Sequence, residues 1–363
     1  MLVSEVPALR EYWYAMMYSG DLTDRPAPVR LFGEDFVLWR ESPDGPARAA
    51  VDECPHRAAR PSQGWITDGC LTCPYHGWKF NGHGACVEIP SNEPGLPIPP
   101  RARLESILCQ EKYGLIWICV GLPRTDVPIL PEADDPSFTL IHELMETWHA
   151  SAPRIIDNAL DVSHVAWVHR NSVGYSADPR MRQVEVHRNG ESLTFSATYT
   201  VRIDETMAKN TGITSEFTTR TTKGELVNPM MFRGSLEYHE NGLIHVLYKT
   251  ATPIDDYTTL FCQFIARNDN PDADKQRIAI GVDKLVQSED KELLQAVRPD
   301  FPLEPATEIH APADRMTIQY RRILAELAAE HSIARPDKDW ARPLVREDTA
   351  ARRPPLQRAA RGD

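Results

Sequence analysis

The chain has 363 residues, of which 25% are charged and 42% hydrophobic, and its formal net charge is −12. This length allows two domains, and the acidic balance argues against nucleic acid or an anionic membrane as a partner. The start of the chain lacks the basic and apolar segments of a signal peptide, and the most apolar run, 115–122, is too short to cross a bilayer. The seven cysteines lack the spacing of a disulfide framework. We therefore expect a cytoplasmic protein with no membrane partner.

Residues 1–125 predict a mostly β unit. A short strand at 36–40 ends in a turn, and the segments 107–109 and 115–120 form a strand pair. A hairpin around 67–69 separates two loops that contain cysteine and histidine. We place a domain boundary near Thr125, within a proline-rich segment.

Those two loops carry Cys54 and His56, then Cys73 and His76, in the pattern C-x-H-x16-C-x-x-H. Two thiolates and two imidazoles can hold one tetrahedral zinc ion or a two-iron cluster. Zinc knuckles tend to pair two cysteines in one loop, whereas each loop here offers one cysteine and one histidine. This order of one cysteine and one histidine in each loop favours a Rieske [2Fe–2S] centre, in which both cysteines ligate one iron and both histidines ligate the other. A zinc site and four unrelated turn residues remain as alternatives.

Residues 126–345 predict a second domain with a long antiparallel sheet packed by helices, so that the whole chain has an α+β fold. A helix starts after Pro153 and runs through 154–169, and the region 192–266 is β with a hairpin turn at 240–242. Further helices are expected at 276–297 and 314–330. The tail, 346–363, is rich in Arg, Ala and Pro, and this composition predicts disorder.

The 154–169 segment carries candidate ligands for a second metal. His164 and His169 could supply the imidazoles of a 2-His-1-carboxylate site on Fe(II). A separation of five residues puts them about 140° apart on a regular helix, so we expect an irregularity between them. Asp161 could bond the second ring nitrogen of His164. Either Glu289 or Asp290 could provide the carboxylate, and spacing does not choose between them.

These motifs resemble the oxygenase (alpha) component of Rieske non-haem iron oxygenases, close to the homotrimeric group typified by vanillate demethylase and dicamba monooxygenase. The resemblance covers nearly the whole chain, including CPHR, CPYHGWKF, KYGLIWICVG, DNALDVSHVAWVH and EIHAPADRMTIQYRR. It implies that Asp290 is the third iron ligand, that Asn158 is a polar residue near the iron, and that Asp161 bridges the two metal centres. Ala58 departs from the family pattern, which usually has glycine after CPHR.

The resemblance also implies a function. The chain would use O2 and electrons from a ferredoxin or flavin reductase, fed by NAD(P)H, to hydroxylate or oxidatively demethylate an aromatic, heterocyclic or polycyclic small molecule. Cis-dihydroxylation is the alternative reaction. A Rieske electron carrier without oxygenase chemistry and a redox-silent zinc module are the rival classes. In the family, head-to-tail trimers place the cluster of one subunit beside the iron of the next. For the redox partner we expect a basic patch around Arg57, Arg60 and Lys79.

Overall fold

The structure is a computed structural model that describes residues 1–334, so the predicted disordered tail at 346–363 lies outside the described residues. The strands are β1 (Tyr14–Tyr18), β2 (Ala27–Leu31), β3 (Glu34–Arg40), β4 (Ala47–Val51), β5 (Trp65–Thr67), β6 (Cys70–Thr72), β7 (Lys79–Phe80), β8 (Cys86–Glu88), β9 (Ser106–Lys112), β10 (Leu115–Cys119), β11 (Thr139–Trp148), β12 (Arg182–Asn189), β13 (Ser192–Arg202), β14 (Phe217–Asn228), β15 (Met231–Tyr238), β16 (Ile244–Pro253) and β17 (Thr259–Arg267). The α-helices are α1 (Pro131–Asp134), α2 (Ala152–Leu160), α3 (Val165–Val168), α4 (Glu205–Thr211), α5 (Ala273–Ala296) and α6 (Arg315–Ala334). Within residues 1–334, no helix combines the length and the apolar character that crossing a membrane requires.

Two antiparallel sheets form the first part of the chain, as the β prediction for residues 1–125 requires. Six strands pair in the order β1-β10-β9-β4-β3-β2, and four short strands pair in the order β5-β6-β7-β8. Strand β3 is buried on both faces: Phe36 and Leu38 pack into the main core, while Val37 and Trp39 pack toward the four-stranded sheet. The predicted hairpin at 67–69 joins β5 to β6.

The second part of the chain is built on one antiparallel sheet in the order β11-β17-β16-β15-β14-β13-β12. The α+β prediction is therefore confirmed. Sequence reasoning missed β11 and β12, which lie outside the predicted β region 192–266. It also missed α4, which interrupts that region. Asp204 caps this helix by accepting a hydrogen bond from the Met207 amide, and Gly212 ends it at φ 76°.

The predicted helix over 154–169 is wrong beyond Leu160. α2 ends there, and residues 161–164 form a turn before the single helical turn of α3. The Asp161 carboxylate accepts hydrogen bonds from both the backbone amide and the hydroxyl of Ser163, at 2.7 and 2.6 Å. Such side-chain bonds compete with helix continuation. The irregularity therefore precedes His164, whereas we expected it between His164 and His169.

The six-stranded sheet packs directly against the seven-stranded sheet. The hydroxyl of Thr252 donates to the carbonyl of Ala15 at 2.8 Å, and the amide of Phe32 donates to the carbonyl of Pro253 at 2.8 Å. One hydrophobic core runs from Val3 to Leu327 and includes residues of both halves. A smaller core surrounds the two Cys/His loops. The domain boundary near Thr125 remains a prediction.

Candidate active site

The two Cys/His loops share one backbone design. The Ala58 amide donates to the Cys54 carbonyl at 2.9 Å, and the Gly77 amide donates to the Cys73 carbonyl at 3.0 Å. The residue that closes each loop has a left-handed backbone, with φ 56° at Ala58 and φ 70° at Gly77. Glycine adopts this conformation at little cost, and alanine does not. The family's usual glycine after CPHR thus has a physical reason, and Ala58 is strained.

The loops hold two thiols inward and two imidazoles outward. Cys54 and Cys73 are buried in the smaller core, while His56 is half-buried and His76 is exposed. The imidazole rings lie with their centroids 4.4 Å apart, and the Trp78 ring stacks on His56 at 4.5 Å. The Nδ1 atom of His56 is buried without a hydrogen-bond partner among the described residues. An orphaned ring nitrogen of this kind fits a metal ligand.

The order of the four donors along the two loops favours a cluster over one ion. In residues 1–334, the one set of three or more candidate ligands whose donor atoms gather within 4.8 Å of one another is His164, His169 and Asp290. The four Cys/His donors do not belong to such a group within the described residues, and loops with one cysteine and one histidine each favour a two-iron centre. Burial, with a smaller effect from the Cys73 thiol, raises the pKa of Cys54 to about 12. Backbone amides of the same loop point at its sulfur and oppose that rise.

The second candidate centre combines the α3 turn with α5. The Nε2 atoms of His164 and His169 both lie 3.4 Å from Oδ1 of Asp290. Asn158, on α2, donates its amide to the same oxygen at 3.4 Å. Because His164 precedes the α3 turn and His169 follows it, the two rings reach one point without a continuous helix. The structure thus brings together the three residues that the sequence proposed as iron ligands.

Glu289, the other carboxylate that sequence spacing allowed as a ligand, contacts the opposite ring nitrogen of His169 from Asp290. Its Oε2 lies 2.9 Å from Nδ1 of His169 and accepts a hydrogen bond from the Ser172 hydroxyl at 2.7 Å. Such a carboxylate fixes the histidine tautomer and leaves Nε2 free for a metal. Asp161 does not form the expected bond to His164, because its Oδ2 is 3.9 Å from Nδ1.

Burial and charge oppose each other at this centre. Burial raises the pKa of Asp290, but hydrogen bonding and charge from His164 outweigh it, and the pKa falls well below its ordinary value. Burial lowers the pKa of His164, and Asp290 reverses this into a net rise. For His169, burial prevails and the pKa falls. The site therefore favours an ionised carboxylate facing imidazole nitrogens, which is the donor set that Fe(II) takes.

A cavity opens beside His164, His169 and Asp290. One face of β13–β16 forms its floor, and α4 and α5 cover it. Phe232 lines the cavity and also packs into the large core, whereas Met230 and Met231 lie in the hydrophobic cores alone. The polar groups at its wall include Arg220, Lys249 and the ion pair between His245 and Asp283.

The predicted basic patch beside the first centre is mostly neutralised. Arg60 pairs with Asp35 at 2.7 Å, and Lys79 pairs with Asp68 at 3.2 Å and with Glu88. Arg57, by contrast, is exposed and forms no ion pair within the described part of the chain.

Comparison with known proteins identifies the family. Residues 12–107 match the Rieske [2Fe–2S] domain, and residues 148–330 match the Vanillate O-demethylase oxygenase C-terminal domain. The methylxanthine N1-demethylase NdmA of Pseudomonas putida is 30% identical over 89% of this chain and 90% of its own length. The chain belongs to the Rieske non-haem iron oxygenases. This oxygenase is also 28% identical to the methylxanthine N3-demethylase NdmB of the same species, over 90% of this chain and 92% of that protein.

Solved structures agree with the fold of the oxygenase. The structure of Pseudomonas putida NdmA with caffeine superposes with a TM-score of 0.77 at 29% identity, covering 91% of this chain and 94% of that one. Dicamba monooxygenase bound to dicamba gives 0.76 at 21% identity, covering 90% and 99%, and shows the fold alone. The oxygenase therefore uses a Rieske [2Fe–2S] cluster, a mononuclear iron, O2 and electrons from a redox partner, and it acts on a small organic molecule.

Sequence reasoning missed two groups of this active site. His245 had no partner at motif spacing, because Asp283 lies on a distant helix and the pair forms only through the fold. Glu289 appeared as a rival ligand to Asp290. Spacing could not separate them, because adjacent residues on α5 point about 100° apart and only the fold shows which direction faces His164.

Proposed function

We propose that this oxygenase removes a methyl group from nitrogen or oxygen of a small aromatic or heterocyclic molecule. The convergence of His164, His169 and Asp290 at the wall of a cavity carries the proposal. The names of the relatives, which include a vanillate O-demethylase family and two methylxanthine demethylases, favour demethylation over other oxygenations. In such a reaction the substrate methyl, O2, two electrons and two protons yield a hydroxymethyl group and water. The hydroxymethyl group then leaves as formaldehyde.

In this proposal each centre has assigned ligands. Cys54, Cys73, His56 and His76 hold the [2Fe–2S] cluster, and His164, His169 and Asp290 hold the Fe(II). When bound, the two groups supply one-electron exchange and O2 activation. The protein orients and shields them. Glu289 holds His169 in the tautomer whose Nε2 can ligate, and Asn158 donates to the Asp290 oxygen that faces both imidazoles.

We also infer that the working assembly is a homotrimer. The head-to-tail trimers of the family, in which the cluster of one subunit lies beside the iron of the next, support this assembly. Within residues 1–334, no hydrogen bond or ion pair joins the Cys/His loops to the His164 site. Asp161 supports this route: it lies beside His164, and part of its side chain is exposed. His164 Nδ1 is buried and has no hydrogen-bond partner among the described residues. A small shift would let Asp161 accept from this nitrogen and from His76 of the next subunit.

The electron donor in this proposal is a ferredoxin or flavin reductase that draws on NAD(P)H. We place the oxygenase in the cytoplasm, because the seven cysteines lack the spacing of a disulfide framework and no disulfide joins any of them, as is typical of a reducing compartment. This placement fits a donor that is fed by soluble nicotinamide cofactor.

The activity test measures O2 uptake and formaldehyde release across a panel of N-methyl and O-methyl aromatic compounds, with a reductase added. We expect formaldehyde and consumed O2 in equal amounts when uptake is coupled. The variants His164→Ala, His169→Ala and Asp290→Asn should lose activity and the third iron while keeping the cluster spectrum. A dihydrodiol product with the methyl retained would establish cis-dihydroxylation instead, and two irons per wild-type chain would indicate an electron carrier.

Subunit mixing tests the assembly. His76→Ala and His164→Ala proteins are each inactive, but mixed trimers contain interfaces with one intact cluster beside one intact iron site, so activity should return. Asp161→Asn should keep both metals and block electron transfer between them. If the subunits exchange and the mixture stays inactive, the route between subunits is wrong.

A further inference from the structure

Arg220 is a buried cation in the wall of the cavity. It is 6% exposed and lies on β14 between two cross-strand neighbours, Tyr199 and Tyr238. Its guanidinium lies 5.0 and 5.7 Å from the centres of the two tyrosine rings. The Nε atom donates to the Tyr199 hydroxyl at 2.9 Å, and Nη1 donates to the Tyr238 hydroxyl at 3.0 Å. The aromatic rings and hydroxyls thus hold the guanidinium in a fixed orientation.

No acidic side chain within residues 1–334 forms an ion pair with this guanidinium. Other polar groups of the cavity wall have partners, because Asp283 lies 3.1 Å from the His245 ring and Lys249 lies 4.0 Å from Asp290. A guanidinium stays protonated in proteins, and a buried charge without a counter-charge is strongly unfavourable. The missing negative charge therefore has to come from outside the described chain, and the cavity gives a ligand access to it.

Donors remain free on the cavity side. Arginine has five N–H groups, and Nη2 of Arg220 donates to no residue of the described chain. The Tyr238 hydroxyl accepts from Nη1, so its own hydrogen is available to a ligand. The Tyr199 hydroxyl already shares a hydrogen bond with Thr222 at 2.9 Å. A guanidinium edge beside a hydroxyl donor matches the two oxygens of a carboxylate.

Strand register places this donor pair far from the metal-binding end. Lys249, which reaches Asp290, stands in the same cross-strand row as Phe232 and Leu226. Arg220 lies six residues before Leu226 on β14, so the row that contains Arg220 and the row that contains Lys249 are separate along the strands.

One cavity is lined by residues of both ends, including Arg220, Lys249 and Asp290. The middle row of the floor contains the facing glycines Gly224 and Gly234. A Cβ at Gly234 would come within 2.6 Å of the Phe232 ring, so a side chain there would crowd the cavity. Leu236, Leu247 and Val286 supply apolar wall nearby. A flat, elongated and mostly apolar ligand fits this lining.

We propose that the substrate is an elongated aromatic acid whose carboxylate is bound by Arg220 and Tyr238. The methyl group to be oxidised lies at the opposite end, toward His164, His169 and Asp290. This inference rests on the proposed function, because it takes the cavity to be the substrate site of the oxygenase.

The experiment compares two ligands of nearly the same shape, one with a negative charge and one without. One is a methoxynaphthoate with the methoxy group and the carboxylate at opposite ends of the two rings, and the other is its carboxamide. Their binding to iron-loaded protein is measured by isothermal titration calorimetry without a reductase, so that no turnover occurs. Hydrogen bonds to a charged group lead us to expect the acid to bind about 10- to 100-fold more tightly than the amide.

Variants test which residues cause the preference for the acid over the amide. Arg220→Gln should abolish it, Tyr238→Phe should reduce it, and Lys223→Gln should leave it unchanged. Lys223 is a matched control because it lies on the same strand, outside the cavity, paired with Glu237. The cluster spectrum and the melting temperature establish that each variant is folded. The wild-type comparison and Tyr238→Phe keep the test decisive if Arg220→Gln does not fold.

Three results would overturn the inference: equal affinity for acid and amide, a preference that survives Arg220→Gln, or no binding of the acid at millimolar concentration. Failure of the proposed function has a different signature. In that case the acid binds through Arg220, but no methyl group is removed when a reductase and O2 are supplied.

Discussion

Replacing Glu289 by glutamine should weaken iron binding although Glu289 is not itself a candidate ligand. Its Oε2 lies 2.9 Å from Nδ1 of His169, where it can accept a hydrogen bond, and it accepts another from the Ser172 hydroxyl at 2.7 Å; the side chain is 14% exposed. Glutamine keeps the size but removes the charge that holds His169 with Nε2 unprotonated. Loss of such an outer carboxylate typically costs 10- to 100-fold in metal affinity, or about 1.4 to 2.7 kcal/mol.

The measurement is an Fe(II) dissociation constant, obtained by competition with a chromogenic chelator under anaerobic conditions. Glu292→Gln is the matched control, because Glu292 lies one residue after Lys291 on the same helix and faces solvent. Asp290→Asn gives the largest expected loss of Fe(II) affinity, since it alters a proposed direct ligand. An affinity for Glu289→Gln within about threefold of wild type would refute the role of Glu289, as would an equal loss in Glu292→Gln.

Ala58→Gly should stabilise the first Cys/His loop by about 0.5–1 kcal/mol, because glycine adopts the left-handed backbone without strain, and Gly77→Ala should destabilise the second loop by at least as much. Melting temperatures with the cluster bound check both substitutions. A lower melting temperature for Ala58→Gly would contradict the strain. Glu111→Gln should lower the free energy of unfolding at neutral pH by about 2 kcal/mol, because Arg40 loses a charged partner. The Arg40 hydrogen bond lowers the pKa of Glu111 from 4.5 to about 2. This stabilisation is therefore present above pH 4.5 and is lost as pH falls through about 2. Unfolding curves at several pH values should show that wild type and Glu111→Gln converge in stability in acid. Arg57→Glu should slow reduction of the cluster by the redox partner at low salt and less so at high salt, and an unchanged stopped-flow rate at low salt would remove Arg57 from the docking surface.

The Cys/His loops were predictable because their chemistry is local. Each ligand pair lies within four residues of chain, and the turn-forming residues around them restrict the backbone. Even the strain at Ala58 was visible as a departure from a glycine pattern. The fold class followed for a similar reason, because alternation of apolar residues and a strong turn at 240–242 report directly on strands and hairpins.

The second centre was predictable in its members and not in its geometry. The choice of Asp290 over Glu289 came from family resemblance, and it is the geometry of α5 that separates their positions. The break after Leu160 depends on two hydrogen bonds of Asp161 that no periodicity reveals. The unpaired charge of Arg220 was likewise invisible, because whether a cation lacks a partner depends on every strand packed around it.

The large core and the smaller core around the Cys/His loops determine the order in which parts of the protein unfold. The six-stranded sheet shares the large core with the catalytic sheet, whereas the Cys/His loops have a small core of their own, and β3 contributes to both. Loss of the cluster should therefore melt the loops and the four-stranded sheet in a separate early step, while the remaining strands stay folded with the second half. The cooperative units would then not divide at Thr125, and a fragment cut there would expose the apolar face of the six-stranded sheet. Exchange of electron-transfer modules between relatives would have to transplant the loops and the four-stranded sheet alone.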